Sequence, residues 1–187
     1  MPKMPNEMEK RRRITAFGAS RTDLNAKLYA DVTELSRKIA LLGWDGLVGG
    51  HQGMMAAFCR GIRAGGGHVR GITLERFPTP PDHSLSEEVR AHTFFDRMQA
   101  LIEGGKAYLV LPGGLGTVAE LAMTWDLLAI HVLEPRPLIL YGRMWHDILD
   151  AFAEGLLFSS ELPMQYVFCC ESHEAVLGCL EAIHHPS

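Results

Sequence analysis

Between residues 107 and 120 the chain reads Ala-Tyr-Leu-Val-Leu-Pro-Gly-Gly-Leu-Gly-Thr-Val-Ala-Glu, and few architectures accommodate that order. The unbroken apolar run at 107–111 predicts a strand buried on both faces. Pro112 ends it, because proline has no N–H to give a sheet ladder. Gly113, Gly114 and Gly116 then let the backbone turn sharply and approach a ligand closely. From Thr117 the apolar spacing becomes helical, with Leu121, Trp125 and Leu128, and predicts a helix over 117–132. A glycine turn leading from a strand into a helix leaves free N–H groups at the positive end of the helix dipole, which favours a phosphate. Glu120 lies one turn in. The dipole alone favours an acid there, and a structural role is its ordinary reading. A phosphate cradle does not need that carboxylate, so Glu120 is also a candidate for chemistry.

The same alternation runs through the chain. Strands are predicted at 14–17, 47–48, 69–74, 138–141 and 166–170. A helix carrying Leu28, Val32, Leu35 and Ile39 is closed by Gly43, and another carries Met54, Phe58 and Ile62. Ser84 with Glu87 has capping-box spacing and predicts a helix to about residue 103, with Val89, Phe94, Phe95, Met98 and Leu101 on its apolar side. Helices follow at 145–155 and from His173. Strands separated by helices imply an α/β fold, a Rossmann-like doubly wound parallel sheet, as one domain over 14–187 after a flexible, solvated arm at 1–13. Ligands of such sheets sit beyond the carboxyl ends of the strands, at the switch in strand order. Three small-residue turns fall there: Gly18-Ala19-Ser20, Gly49-Gly50-His51-Gln52-Gly53 and Gly113 to Thr117.

Composition excludes several classes. The 187 residues are 47% hydrophobic and 21% charged, as in an ordinary globular domain. A formal charge of -4 gives no reason to expect nucleic acid as a partner. No apolar run approaches the ~20 residues of a membrane span, and the polar, basic start is not a secretory signal. Cys59, Cys169, Cys170 and Cys179 have neither zinc nor redox spacing, so reduced thiols in a cytoplasmic protein are expected. The scattered histidines suggest no metal site, and no cofactor is expected.

The string Pro-Gly-Gly-x-Gly-Thr-x-x-Glu at 112–120 resembles the signature of the LOG (Lonely Guy) family of nucleoside 5′-monophosphate phosphoribohydrolases, also labelled possible lysine decarboxylases. The turn Gly49-Gly50-His51-Gln52-Gly53-Met54, the exit Gly18-Ala19-Ser20, Arg97 and Thr124-Trp125 are similar to that family too. The resemblance spans about residues 14–155. It implies that Arg97 and Glu120 form the catalytic pair of a homodimer. It implies also that Gly113, Gly114, Gly116 and Thr117, with Ser20, Gly49 and Gly50, hold phosphate and ribose. His51 and Met54 are candidates for a base pocket, although His51 is read equally well as solvent-exposed. The family usually has Arg-Lys where this chain has Arg97-Met98, which removes a positive charge from the expected phosphate region. The reaction implied is hydrolysis of the N-glycosidic bond of a nucleotide such as AMP or a cytokinin riboside 5′-monophosphate. A non-catalytic nucleotide or cofactor carrier of the same fold is the alternative. Dinucleotide-dependent oxidoreduction fits poorly: the Gly-x-Gly-x-x-Ala string at 114–119 sits on a late strand, and no acidic residue ends the next one. Lysine decarboxylation lacks a suitable lysine for pyridoxal phosphate.

Overall fold

The computed structural model describes residues 12–21, 25–81, 83–158 and 164–184. The first eleven residues of the expected arm lie outside these. Its last two belong to the first strand, β1 (Arg12–Phe17), where they pair with Trp44 and Asp45 of β2 (Trp44–Val48).

From β1 the chain steps outward through α1 (Ala26–Leu41), β2, α2 (Gly53–Ala64), β3 (Val69–Leu74) and β4 (Glu87–Ala91). It then returns through α3 (Phe94–Gly104) to lay β5 (Ala107–Val110) against the other side of β1, and continues with α4 (Leu115–Ala129), β6 (Leu138–Tyr141), α5 (Met144–Gly155), β7 (Val167–Cys170) and α6 (His173–Glu181). The sheet order is β4-β3-β2-β1-β5-β6-β7, with all pairs parallel. The order therefore reverses between β1 and β5, the place at the carboxyl edge where ligands of such sheets usually sit.

Alternation along the strands divides the core into two apolar layers. Ile14, Ala16, Leu109 and Ile139 pack with Val32, Leu35, Phe58 and Val176 from α1, α2 and α6. Phe17, Tyr108, Val110 and Leu140 pack with Met98, Leu101, Leu121, Trp125 and Trp145 from α3, α4 and α5. Every residue of β2, β5 and β6 is buried, which explains the unbroken apolar runs of β5 and β6.

One expected element is corrected. Residues 84–103 are not one helix. β4 runs from Glu87 to Ala91, and α3 starts after Thr93. As the edge strand, β4 carries polar side chains that pair across to β3: the Arg70 Nε donates to Glu87 at 2.9 Å, and Thr73 bonds to Glu88. The capping box of α3 is Thr93 with Asp96, whose backbone and side-chain groups bond reciprocally at 3.1 Å. α4 ends three residues earlier than expected; His131 beyond it adopts φ 59°, the left-handed conformation common after helix ends. Among the described residues no helix is long and apolar enough to cross a membrane.

Candidate active site

The three expected turns are stitched together at the carboxyl edge. Ala19 N–H donates to the Pro112 carbonyl at 3.1 Å, and Met54 N–H donates to the Ala19 carbonyl at 2.8 Å. Gly53 makes the second contact feasible: it adopts φ +60°, and any side chain there would run into the carbonyls of Ala19 and Arg21. The helices that follow, α2 after Gln52 and α4 after Gly114, have no side-chain cap. Their first-turn N–H groups are the kind of donors an anion satisfies. Gly114 is the N-cap of α4, and Gly116 lies within its first turn. Thr117 is buried with its side chain against Gly113, where a Cβ would collide with it.

The capping box starts α3 so that Arg97 falls on its first turn. Its Nε donates to the Gly49 carbonyl at 3.1 Å, and its Nη2 approaches Glu120 Oε1 at 3.4 Å. The guanidinium carbon sits 5.8 Å from the centre of the Phe94 ring. Both members of the pair are 13% exposed. Burial dominates their electrostatics: it pushes the Glu120 carboxyl up to about 7, against the pull of Arg97. Burial likewise lowers the Arg97 pKa, while the Glu120 charge opposes that shift.

A cleft of about 220 Å³ opens beside Arg97. Ser20, Gly49, Gly50 and His51, four of the expected residues, line it together with Arg97. The turn from Gly113 to Thr117 is not part of its lining; it adjoins the β1 exit through the Ala19–Pro112 bond. Met54 does not reach the cleft. It is fully buried beneath Gly18, and its neighbour Met55 lines the cleft instead, because one residue along a helix turns the side chain by about 100°. The same rotation accounts for Met98. It is 2% exposed in the layer beneath α3, so the position where the family has lysine faces the sheet. Thr73, Leu74, Phe77 and Thr79 also line the cleft and were not singled out by sequence. The length of the 75–86 connection was the available signal, since long ordered loops in compact domains are often functional. Among the described residues no group of three His, Cys, Asp or Glu could hold a metal ion.

A family model described as "Possible lysine decarboxylase" matches residues 55–180, which takes in both Arg97 and Glu120. The chain belongs to the LOG family. Among its LOG-family relatives, a Mycobacterium tuberculosis protein named cytokinin riboside 5′-monophosphate phosphoribohydrolase is 33% identical over 140 residues, 71% of this chain and 73% of the relative. A Rhodococcoides fascians protein of the same name is 30% identical over 74% of this chain and 71% of its own length. In solved structures the fold recurs in the molybdenum cofactor carrier protein of Chlamydomonas reinhardtii, at a TM-score of 0.70 and 18% identity over 94% of this chain and 99% of that one. It recurs also in the molybdenum cofactor binding protein of Rippkaea orientalis, at a TM-score of 0.72 and 18% identity over 95% and 99% of the two chains. At such identity these two share the fold alone.

Proposed function

We propose that this protein hydrolyses the N-glycosidic bond of a nucleoside 5′-monophosphate, of the AMP or cytokinin riboside 5′-monophosphate type, to free base and ribose 5-phosphate. The observation that carries the proposal is the Arg97–Glu120 pair, 3.4 Å apart and nearly buried beside a glycine turn at a helix start. Membership of the LOG family supports it, as do two relatives named for this reaction.

The chemistry follows from the charges. Departure of the base builds positive, oxocarbenium-like charge on the ribose. An ionised Glu120 stabilises that charge and orients the water that attacks the sugar carbon. Arg97 holds Glu120 and grips phosphate or ribose oxygens through its planar fork. Gly113, Gly114, Gly116 and Thr117 take the 5′-phosphate at the α4 N-terminus, and Ser20, Gly49 and Gly50 border the ribose.

The working unit in this proposal is a homodimer. α4 is apolar nearly all round, as expected of a helix covered on both sides. Its outer face leaves Leu115 and Met123 exposed, as is Ile130 just past its end, and Phe95 of α3 is 75% exposed. A cytoplasmic setting fits the four free cysteines.

The test is to incubate the purified protein with a panel of nucleoside 5′-monophosphates and quantify free base and ribose 5-phosphate by chromatography. Release of both in equal amounts is expected. Tight nucleotide binding without release from any member would favour a carrier instead.

A further inference from the structure

The mechanism above uses Arg97, Ser20, Gly49 and Gly50 and leaves the rest of the cleft wall unexplained. That part of the wall includes His51, Met55, Leu74, Phe77 and Thr79. Three features point to a ligand. First, both ring nitrogens of His51 are shut off from water and find no hydrogen-bond partner among the described residues. Buried polar atoms are ordinarily paired, and leaving them unpaired is costly, so these two suit a partner that arrives with a ligand. Second, Met55, Leu74 and Phe77 add an apolar surface beside those nitrogens. Third, the cleft, at about 220 Å³, has room for a flat ring.

The wall is held in place. Arg90 on β4 donates through Nη2 to the carbonyls of Leu74, Glu75 and Phe77 at 3.0, 3.1 and 2.8 Å. Its Nη1 reaches Thr79 Oγ1 at 3.2 Å, and the Thr79 hydroxyl is also bonded to Glu88. With Thr79 already engaged on both counts, His51 keeps its hydrogen-bonding capacity unspent among the described residues. A neutral imidazole has one donor and one acceptor. A 6-aminopurine presents both complements, ring nitrogens that accept and an exocyclic amine that donates.

We propose that this cleft is the base-binding half of the site, with His51 and Phe77 as its specificity-determining residues: the purine lies against Phe77 and Met55 and is read by His51, whose ring turns to bring a nitrogen into the cleft. The assignment rests on the phosphoribohydrolase reading, which places the sugar at Arg97 and Glu120. It makes the β3–β4 connection, braced by Arg90, the segment that sets base preference.

Calorimetric titration with AMP and with ribose 5-phosphate, which lacks the base, separates the two halves. His51→Ala and Phe77→Ala are each expected to weaken AMP roughly tenfold or more, the scale of losing one base contact, while ribose 5-phosphate binds as to wild type. His51→Gln, which keeps a donor and an acceptor, is expected to recover part of the loss, and thermal melting checks that each variant is folded. In kinetics the loss appears in KM for AMP more than in kcat. Equal weakening of both ligands, or of neither, overturns the assignment. Base release by wild type with unchanged KM in both alanine variants overturns it too, and leaves the hydrolase reading intact. Selective loss of AMP binding in a protein that hydrolyses no nucleotide upholds the base cleft and removes the hydrolase.

Discussion

Glu120 and Arg97 approach to 3.4 Å with each side chain 13% exposed, yet the carboxyl is pushed up to about 7. Burial outweighs the opposite charge because the contact is long and single-pronged, and because the Arg97 Nε is committed to the Gly49 carbonyl. A carboxyl poised near neutrality beside a fixed cation is arranged for proton and charge management more than for holding the fold together.

That elevation has a consequence for stability. Below pH 4.5 the carboxyl is protonated in both folded and unfolded chains. Between 4.5 and about 7 it ionises in the unfolded chain first, and this draws the equilibrium toward unfolding. The Glu120→Gln variant lacks this titration. Wild-type stability relative to that variant is therefore expected to fall by about 3 kcal/mol as pH rises through the window. Denaturant melts of both proteins at pH 4.5, 6 and 8 measure it; a gap that does not change with pH would contradict the burial of Glu120.

Activity should carry the same signature. The acid limb of kcat/KM is expected near pH 7. In Arg97→Ala it should move higher, since the guanidinium no longer opposes burial, and the rate should fall by roughly 10² or more. Arg97→Lys should restore the position of the limb better than the rate, because lysine lacks the planar fork. The substrate phosphate titrates near pH ~6 in every variant alike. The shift between variants is the readout, and coincident limbs would count against the pairing.

Two glycines should fail in different ways. A Cβ on Gly49 would occupy the space of the Arg97 guanidinium. Gly49→Ala should thus lose activity toward the Arg97→Ala level while melting within a few degrees of wild type. Gly53, at φ +60° against two backbone carbonyls, has no such freedom. Gly53→Ala should destabilise the fold by roughly 1–3 kcal/mol. Thermal melts beside base-release assays distinguish the two, and a Gly49→Ala enzyme of full activity would show that Arg97 need not lie where it does.

The apolar outer face of α4 predicts assembly. Light scattering behind a sizing column is expected to give twice the mass of one chain, and Met123→Asp, at a position 38% exposed, is expected to shift it toward one. A wild-type particle of single-chain mass would contradict the homodimer.

Much of the fold was legible because the central strands are buried on both faces and read as apolar runs. β4 was not. At the sheet edge its Glu87, Glu88 and Arg90 are polar and Val89 is 41% exposed, so no apolar run or alternation marks it. Ser84 and Glu87 also imitate a capping box that in fact occurs at Thr93 and Asp96. In the site, the approach of Arg97 to Glu120 across 23 residues came from resemblance to the LOG family and not from spacing. Met54 and Met55 are chemically alike at a helix start, and only the packing of Met54 beneath Gly18 decides which one meets the cleft. The Phe77 wall was illegible because Arg90 sets its shape from another strand.

The most direct test compares wild type and Glu120→Gln side by side, measuring adenine released from AMP and AMP bound under the same conditions. The account predicts roughly 10²-fold or greater loss of release, with binding preserved within a few fold and the fold intact. Release by Glu120→Gln at the wild-type rate would contradict it.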